Sequence, residues 1–387
     1  MPLDPPILRW VADLCAVAGC LGCAYLLATI FFVRRLVHER ESPQGDPAPV
    51  TLLKPLHGGE PDLLSRLASL CNQKYAGATQ IVFGCHDHRD AAIAVVNRLQ
   101  AALPSFPIDL VVGGPGHGSN RKISNLINMA AAARHDVLVI SDSDIEVGPD
   151  YLADVMDTLQ KPGIGAVTCL YHGVARDTVP GCFSALAING HFLPNVLMAI
   201  ILGLARPCFG ATIAMGRETL ERIGGFRAFA DELADDHAIG EAVRAAGYRV
   251  AIPSFSVGHA CNEQTFGEFF GRQLRFARTI KSINPIGFAG AVISNPLPLA
   301  VMGMLGGNGD APFLLAAAIV CRFAVYKSTE RAFRLPRQRY WLLPAVDLAL
   351  FAVFVASFFG SSVAWRGHHY RVLSDGTLSQ ELSQGPN

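Results

Sequence analysis

The stretch Asp136–Ile145, DVLVISDSDI, decides the fold, because an apolar strand in it runs directly into two acidic residues. Its apolar part is rich in Val, Leu and Ile, which is typical of a strand buried inside a sheet. Asp142 and Asp144 follow at once. Active sites of mainly parallel sheets lie at the carboxyl ends of the strands. The stretch therefore predicts a functional site where this strand ends.

The sequence on the N-terminal side alternates between strand and helix patterns. Strands are predicted at 50–56, 80–85 and 108–112, and helices with apolar spacing at 61–71, 91–102 and 123–134. Strands separated by helices of this length predict βαβ units, and hence an α/β domain with a mainly parallel sheet flanked by helices. Polar residues fall where these strands end, namely Lys54, Asp87, Asp90 and Lys122.

Two loops bear on the kind of site. Residues 54–59, KPLHGG, do not form the G-x-G-x-x-G loop of a dinucleotide-binding fold, and the sequence has no Walker motif. The glycine-rich loop 113–118 is either a flexible turn or a mobile loop that brings Asn120 and Lys122 to a phosphate.

Composition indicates membrane segments. The chain has 387 residues, of which 51% are hydrophobic and 17% are charged, whereas soluble domains carry about 25% charged residues. Its 32 basic and 32 acidic residues balance, which argues against a nucleic-acid-binding protein. Ten scattered cysteines, three of them in an apolar N-terminal stretch, predict reduced thiols rather than a disulfide framework.

The N-terminal apolar run is predicted to be a transmembrane anchor. Leu14–Val33 carries no charge over 20 residues, which is long enough to cross about 30 Å of hydrocarbon. Arg34, Arg35 and Arg40 follow it, so residues from 34 onward are predicted to face the cytoplasm. A cleaved signal peptide is less favoured, because it requires basic residues before the run and a small-residue cleavage site after it.

Three further apolar segments, Phe288–Gly307, Ala311–Val325 and Trp341–Trp365, predict about four transmembrane helices in total. The sequence thus divides into an anchor (1–40), a catalytic domain (41–285) that begins with a Pro-rich linker, and C-terminal helices with a tail (286–387).

The apolar stretch Phe192–Ala205 contains Pro194 and Asn195 and is only 14 residues long, which is too short to span a bilayer. It is either a buried core helix or an interfacial or re-entrant segment beside the site.

Carboxylates supply the candidate chemistry. Asp142 and Asp144 offer the hard oxygen ligands that suit Mg²⁺ or Mn²⁺ bridged to a diphosphate, or they belong to an ordinary turn or helix cap. In the pair Asp235–Asp236, at the start of a predicted helix, capping explains one acid, and the other is a candidate general base.

Arginines on a predicted helix before the C-terminal apolar segments form a second candidate group. Arg272, Arg275 and Arg278 are three residues apart, so they share one face. Guanidinium groups bind phosphate in a bidentate manner. The alternative is juxtamembrane charge attracted to anionic headgroups.

In combination these features resemble glycosyltransferase family 21, the ceramide glucosyltransferase family, a family-2-like group that includes bacterial enzymes of hopanoid biosynthesis. The resemblance covers about residues 48–290 and continues weakly into the C-terminal helices. It rests on the stretches Val50–Gly58, Asp87–Asp90, Asn120–Leu126, Ile140–Ile145, Ala234–Asp236, Arg272–Phe276 and Trp365–Arg371.

The resemblance implies a GT-A nucleotide-sugar-binding fold and an inverting transfer of glucose or N-acetylglucosamine from a UDP-sugar to a lipid hydroxyl. The acceptor would be a ceramide or a hopanoid such as bacteriohopanetetrol. Spacing alone does not exclude a retaining double displacement. The enzyme would be an integral protein of the bacterial inner membrane, with its catalytic domain in the cytoplasm.

The resemblance also implies roles for individual residues. Asp236 would be the catalytic base. Asp90 would contact the uracil or ribose, and Asp142 and Asp144 would hold Mn²⁺ or Mg²⁺ and the diphosphate. The remaining substrate-binding residues would be Lys54, Lys122, Arg272 and Arg275, the two arginines steadying the leaving UDP.

One residue departs from the family pattern. Phe276 stands where the family motif has Trp, so it keeps an aromatic ring but lacks the indole N–H donor. Two other functions stay open from sequence: a family-2 polysaccharide synthase, and a non-catalytic membrane scaffold.

Overall fold

The computed structural model describes residues 5–36 and 47–360, together with three short strands, Ser362–Trp365, His368–Val372 and Leu378–Gln380. Most of the Pro-rich linker and Arg40 lie outside the described residues, as do residues 366–367 of the C-terminal family stretch. The three short strands pair antiparallel in a sheet of their own.

The region between the N-terminal and C-terminal apolar helices is built on a seven-stranded sheet with a small second sheet beside it. Its strands are β1 Val50–Pro55, β2 Thr79–Cys85, β3 Ile108–Val112, β4 Val137–Ile140, β5 Ile145–Glu146, β6 Ile164–Thr168, β7 Leu170–Ala175, β8 Ile213–Gly216, β9 Arg249–Ala251 and β10 Ser256–Cys261. The large sheet has the order β3-β2-β1-β4-β8-β6-β9, and the small one has the order β5-β10-β7.

The large sheet is mainly parallel, as predicted. Only β8 is antiparallel to its neighbours, β4 and β6, within this sheet. The β1, β2 and β4 strands are parallel and adjacent, so their carboxyl ends lie at one edge. This arrangement brings the polar residues after these strands together.

Helices cover both faces of the large sheet. They are α2 Leu63–Cys71, α3 Ala91–Ala102, α4 Arg121–Ala130, α5 Tyr151–Leu159, α8 Arg217–Arg222 and α9 Asp235–Ala245. Successive residues of β1 point to opposite faces: Leu52 packs in a core with α2, α3 and α5, and Leu53 packs in a core with α4 and α9. β1 is buried on both faces, and its sequence is apolar apart from Thr51 and Lys54.

The remaining helices are α1 Pro5–Leu36, α6 Val179–Ala187, α7 Leu193–Ile201, α10 Phe266–Ile283, α11 Pro285–Gly290, α12 Pro296–Leu305, α13 Ala311–Ala332 and α14 Leu343–Ala356. Three described helices are long and apolar enough to cross a membrane: Pro6–Arg34, Val179–Ile201 and Ala311–Ala332. A pair that bends by 70°, Pro285–Ser294 with Pro296–Leu305, would be a fourth. The number agrees with the prediction of about four spans, but the set differs: Val179–Ile201 was not predicted, and the predicted span Trp341–Trp365 is represented only by a shorter apolar helix, Tyr340–Ala356.

Two predicted segments differ from the structure. The apolar stretch that begins at Phe192 is the second half of a 23-residue helix, Val179–Ile201, in which a π turn at Ile188–Phe192 joins α6 to α7. The sequence conceals this helix because Asn189, His191 and Pro194 interrupt its apolar pattern. The last apolar helix ends at Ala356 instead of continuing to Trp365.

A buried ion pair joins the apolar helices. Arg322 Nε donates to Asp347 Oδ2 at 2.7 Å, and each side chain is 1% exposed. The same guanidinium donates to the carbonyl oxygens of Gly190 in the π turn and Ser294 at the bend of the bent pair. Arg322 therefore satisfies backbone groups that these irregular turns leave without a helical partner.

We expect Asp347→Ala to lower the free energy of unfolding by about 3–5 kcal/mol, because it leaves a buried guanidinium without its counter-ion. Thermal unfolding of the purified chain in detergent measures this. The double variant Arg322→Leu, Asp347→Leu should recover part of the loss, since it removes both charges. A single variant as stable as the wild type would contradict a structural role for the pair.

Candidate active site

The turn that follows β4 carries Asp142 and Asp144, and Lys54 holds this turn from beneath. The fully buried Lys54 Nζ donates to the carbonyl oxygens of Asp142 at 2.6 Å and Ile145 at 3.0 Å. Burial lowers the pKa of Lys54 to about 8, although Asp144 and Asp142 oppose the shift. The structure thus places Lys54 behind the turn, whereas the sequence suggested contact with substrate.

Lys122 connects this turn to the helix that carries the candidate base. Its Nζ lies 2.9 Å from Asp142 Oδ1 and 3.0 Å from Asp235 Oδ2, and its side chain is 10% exposed. Asn120 caps α4 by accepting from the backbone N–H groups of Lys122 and Ile123. Burial would lower the pKa of Lys122, but Asp142 and Asp235 raise it above its usual range. Lys122, which follows the glycine-rich loop, is therefore a cation held in place between Asp142 and Asp235.

Asp144 belongs to a second charged group. Arg272 Nη2 donates to Asp144 Oδ2 at 3.1 Å, and His259 Nε2 lies 3.2 Å from the same oxygen. Arg272 Nη1 also donates to Glu263 Oε1 at 2.6 Å. Burial would raise the pKa of Asp144, but His259 and Arg272 hold it well below its usual range. Asp144 is therefore a carboxylate at neutral pH.

Asp236 lies in the first turn of α9 and is half-buried. Its Oδ2 accepts from the backbone N–H of Gly210 at 2.9 Å, and its Oδ1 accepts from that of His237 at 2.8 Å. Burial and the neighbouring Asp235 raise the pKa of Asp236 to about 6. A carboxylate with this pKa takes up a proton more readily than an ordinary aspartate, which suits a general base.

Gly210 lies between Asp142 on the turn after β4 and Asp236 on α9. A Cβ atom at this position would lie 2.7 Å from Asp142 Oδ2 and 2.9 Å from Lys122 Nζ. A side chain there would displace the salt bridge, so only glycine fits without rearrangement.

Asp90 lies at the N-terminus of α3. Asp90 caps α3 through Ala92 N–H and accepts from Gly58 N–H at 2.9 Å, with its side chain 5% exposed. It therefore ties the loop after β1 to α3.

Arg275 lies over the Phe276 ring, with 4.7 Å from Cζ to the ring centroid. The phenyl ring thus supports this guanidinium without an indole N–H. Contacts of Asp90 and Arg275 with a nucleotide stay predictions.

Asp142 and Asp144 would hold a divalent metal only if a substrate supplied further ligands. Within the described part of the chain, no group of three or more His, Cys, Asp or Glu side chains could hold a metal ion. Mg²⁺ is commonly bound by one or two carboxylates plus substrate phosphates. Asp142 and Asp144, two residues apart on one turn, fit that pattern. In this structure Lys122 forms a salt bridge with Asp142 and Arg272 forms one with Asp144, and His259 Nε2 lies 3.2 Å from Asp144 Oδ2.

Sequence reasoning missed His259 and Glu263, which lie at the end of β10 and just after it. They follow Asp144 by more than a hundred residues and belong to no spaced motif. It identified Asp142, Asp144, Lys122, Asp236 and Arg272, which the structure brings into two adjoining charged groups.

Residues 14–378 match the family model described as glycosyl transferase family 21. Ceramide glucosyltransferase 1 of Caenorhabditis elegans is 26% identical over 277 residues, which cover 68% of this chain and 59% of that protein. Ceramide glucosyltransferase 3 of the same organism is 24% identical over 278 residues, with coverage of 69% and 59%. The matches thus span less than two thirds of these relatives.

Among solved structures, a mannosyltransferase from Pyrobaculum calidifontis in complex with GDP-Man and Mn²⁺ superposes with a TM-score of 0.51 at 21% identity. It covers 91% of this chain and 99% of the other. The likeness confirms the GT-A fold.

Proposed function

The chain belongs to glycosyl transferase family 21, and on that basis we propose that it transfers glucose or N-acetylglucosamine from a UDP-sugar to the hydroxyl of a membrane lipid, with inversion at the sugar. The observation that carries the proposal is the Lys122 bridge, which joins the Asp142 turn to the helix of Asp236. The carboxylate that would hold the metal and diphosphate would thus lie beside the candidate base, which supports an inverting displacement. The ceramide glucosyltransferases named above support a lipid acceptor.

The donor half of the site would hold and neutralise the diphosphate. Asp142 and Asp144 would bind Mn²⁺ or Mg²⁺, which would offset the charge that grows on the leaving UDP. Arg272 and Arg275 lie on one helix and would bind the diphosphate oxygens. Lys54 would keep the turn in place from behind. Asp90 would position the loop after β1 near the uracil or ribose.

The acceptor half centres on Asp236. As a carboxylate it would remove the proton of the lipid hydroxyl while that oxygen attacks the sugar and UDP leaves. The N–H groups of Gly210 and His237 fix the orientation of the carboxylate. One base and one stabilised leaving group suffice for inversion, and no second carboxylate need act as a nucleophile.

The pH profile should report the base. Asp236 acts only when deprotonated, so transfer should fall about tenfold per pH unit below its pKa of about 6 and level off above it. UDP release measured from about pH 4.5 to 8 at saturating donor tests this. The residual rate of Asp236→Asn should lack the inflection near pH 6. An unchanged inflection in that variant would assign the titration to another group.

The catalytic domain is proposed to face the cytoplasm, because Arg34 and Arg35 follow the uncharged run Leu14–Val33. Ser105 is exposed and remote from the site, so Ser105→Cys provides a reporter. An impermeant maleimide should not label it beyond the wild-type background in intact spheroplasts, and should label it after permeabilisation. Labelling before permeabilisation would contradict this orientation.

A UDP-release assay tests the function itself. The purified full chain is incubated with UDP-glucose or UDP-N-acetylglucosamine, Mn²⁺, and either ceramide, bacteriohopanetetrol or no lipid. We expect release to depend on the lipid. Equal release with and without every lipid would argue against a lipid acceptor.

A further inference from the structure

Three aromatic side chains pack together beside the site. The Tyr171 ring stacks on Phe192 with centroids 4.9 Å apart, and Phe209 contacts Tyr171 and Phe192 edge-on at 5.7 and 5.9 Å. Tyr171 and Phe192 are half-buried. We call these three residues the aromatic floor.

The aromatic floor adjoins both charged groups. Phe209 precedes Gly210, whose N–H donates to Asp236. The Tyr171 ring lies 5.6 Å from the His259 ring, and His259 contacts Asp144. The floor therefore extends from the candidate base to the turn that would hold the metal.

Its third member connects the site to the apolar helices. Phe192 is the last residue of the π turn within the helix Val179–Ile201, which is long and apolar enough to span a membrane. The α7 half of this helix packs against α1, another candidate span. π turns inside helices occur often at functional sites. Aromatic contacts thus link this long helix to Phe209, the residue before the Gly210 that binds the candidate base.

The Tyr171 hydroxyl gives the floor a polar end. It has no hydrogen-bond partner among the residues that the structure describes. Burial raises the pKa of Tyr171, and the nearby Asp236 adds to this effect, so the group stays an O–H donor. A phenol that carries a donor at one end of an apolar ring suits an amphiphile at its polar–apolar junction.

We propose that the aromatic floor binds the lipid acceptor. The carbon chain next to the reactive hydroxyl lies on Phe192 and Tyr171, the Tyr171 hydroxyl donates to a second polar group of the lipid head, and the reactive hydroxyl reaches Asp236. The acceptor class is an amphiphilic alcohol with a further oxygen near the alcohol. This inference rests on the proposed transfer to a lipid and assigns residues to that step.

Two variants and one matched control test the assignment by kinetics. Phe192→Leu removes the stacked ring, and Tyr171→Phe removes only the donor. The control, Phe183→Leu, changes a phenylalanine of the same long helix that packs on Phe266 and Phe269. With a six-carbon-acyl ceramide as the probe, we expect each floor variant to raise KM for ceramide about tenfold. UDP affinity should stay within about twofold, and the control should leave both values unchanged.

A second measurement does not depend on turnover. Ceramide with a diazirine in its acyl chain is photocrosslinked to the wild-type full chain in nanodiscs, in the presence of UDP and Mn²⁺. Mass spectrometry should place the adduct on peptides that contain Phe192 or Phe209. This result would support the floor even if the variants failed to fold.

The outcomes separate the floor from the proposed function. Crosslinking at the floor without glycosylation of ceramide by the wild type would support the floor and count against ceramide as a substrate. Crosslinks confined to other peptides would overturn the assignment. Normal ceramide KM in both floor variants of an active enzyme would overturn it as well.

Discussion

Asp236→Asn should lower the turnover of sugar transfer by about 10²–10⁴-fold, the usual cost of losing a general base. Asparagine has nearly the same shape, and its amide oxygen can still accept from Gly210 N–H, which contacts Asp236 Oδ2 at 2.9 Å. It cannot take up the proton of the acceptor hydroxyl. The fold and the affinity for UDP should therefore stay close to those of the wild type.

Two variants serve as controls for this result. Asp235→Asn alters the carboxylate that lies 3.0 Å from Lys122, so it should weaken donor binding more than it lowers turnover. Arg275→Ala removes a proposed charge-assisted contact to UDP, worth about 1.5–3 kcal/mol, and should also weaken UDP binding. Turnover is measured at saturating donor, and UDP affinity by calorimetry. Near-normal turnover in Asp236→Asn would transfer the role of base to Asp235 or His237.

Chelation of divalent metal should abolish transfer, and added Mn²⁺ or Mg²⁺ should restore it. Two carboxylates of one turn hold the metal too weakly without the diphosphate, so the ion should be readily removed. Asp144→Asn should reduce activity strongly for two reasons. It removes a proposed metal ligand, and it removes the negative charge that pairs with Arg272 Nη2 at 3.1 Å.

Glu146→Gln is the matched control, because Glu146 is an exposed carboxylate just after the same turn. Calorimetry of UDP with and without Mn²⁺ gives a readout apart from activity. Metal should strengthen UDP binding in the wild type and in Glu146→Gln but much less in Asp144→Asn. Full transfer in excess chelator would remove the metal from the mechanism.

The sequence predicted the site residues that follow strands. Asp142, Asp144 and Lys122 could be placed together because the carboxyl ends of parallel strands share one edge. The Val-, Leu- and Ile-rich pattern of β4 is typical of a buried strand, and β4 lies inside the sheet between β1 and β8. The spacing of the arginines predicted that Arg272 shares a helix face with Arg275, and the fold brings Arg272 to Asp144.

Other features depend on contacts between distant parts of the chain. His259 and Glu263 reach the site because β10 pairs with β5, the strand that directly follows the Asp142 turn. The sequence around Lys54 does not reveal whether its ammonium contacts a substrate or the backbone carbonyls of Asp142 and Ile145. Only the packing of the turn over β1 decides between them.

The long helix at 179–201 was hidden for a different reason. Its polar residues Asn189 and His191 lie in the π turn, where they make specific contacts: Asn189 bonds both backbone groups of Gly173, and His191 Nε2 lies 3.2 Å from Asn295 Oδ1. A hydropathy pattern treats such residues as the end of an apolar segment. Inside the fold they satisfy polar groups without ending the helix.

The most direct test of lipid glycosylation is the structure of the product. The purified full chain in nanodiscs is supplied with UDP-α-glucose or UDP-α-N-acetylglucosamine, Mn²⁺ and ceramide or bacteriohopanetetrol, and the lipids are analysed by mass spectrometry and NMR. We predict a lipid that carries one hexose unit in the β configuration, and no such product with Asp236→Asn. An α-linked product would contradict inversion. A polymer of sugars, or release of UDP with all lipids unmodified, would contradict transfer to a lipid.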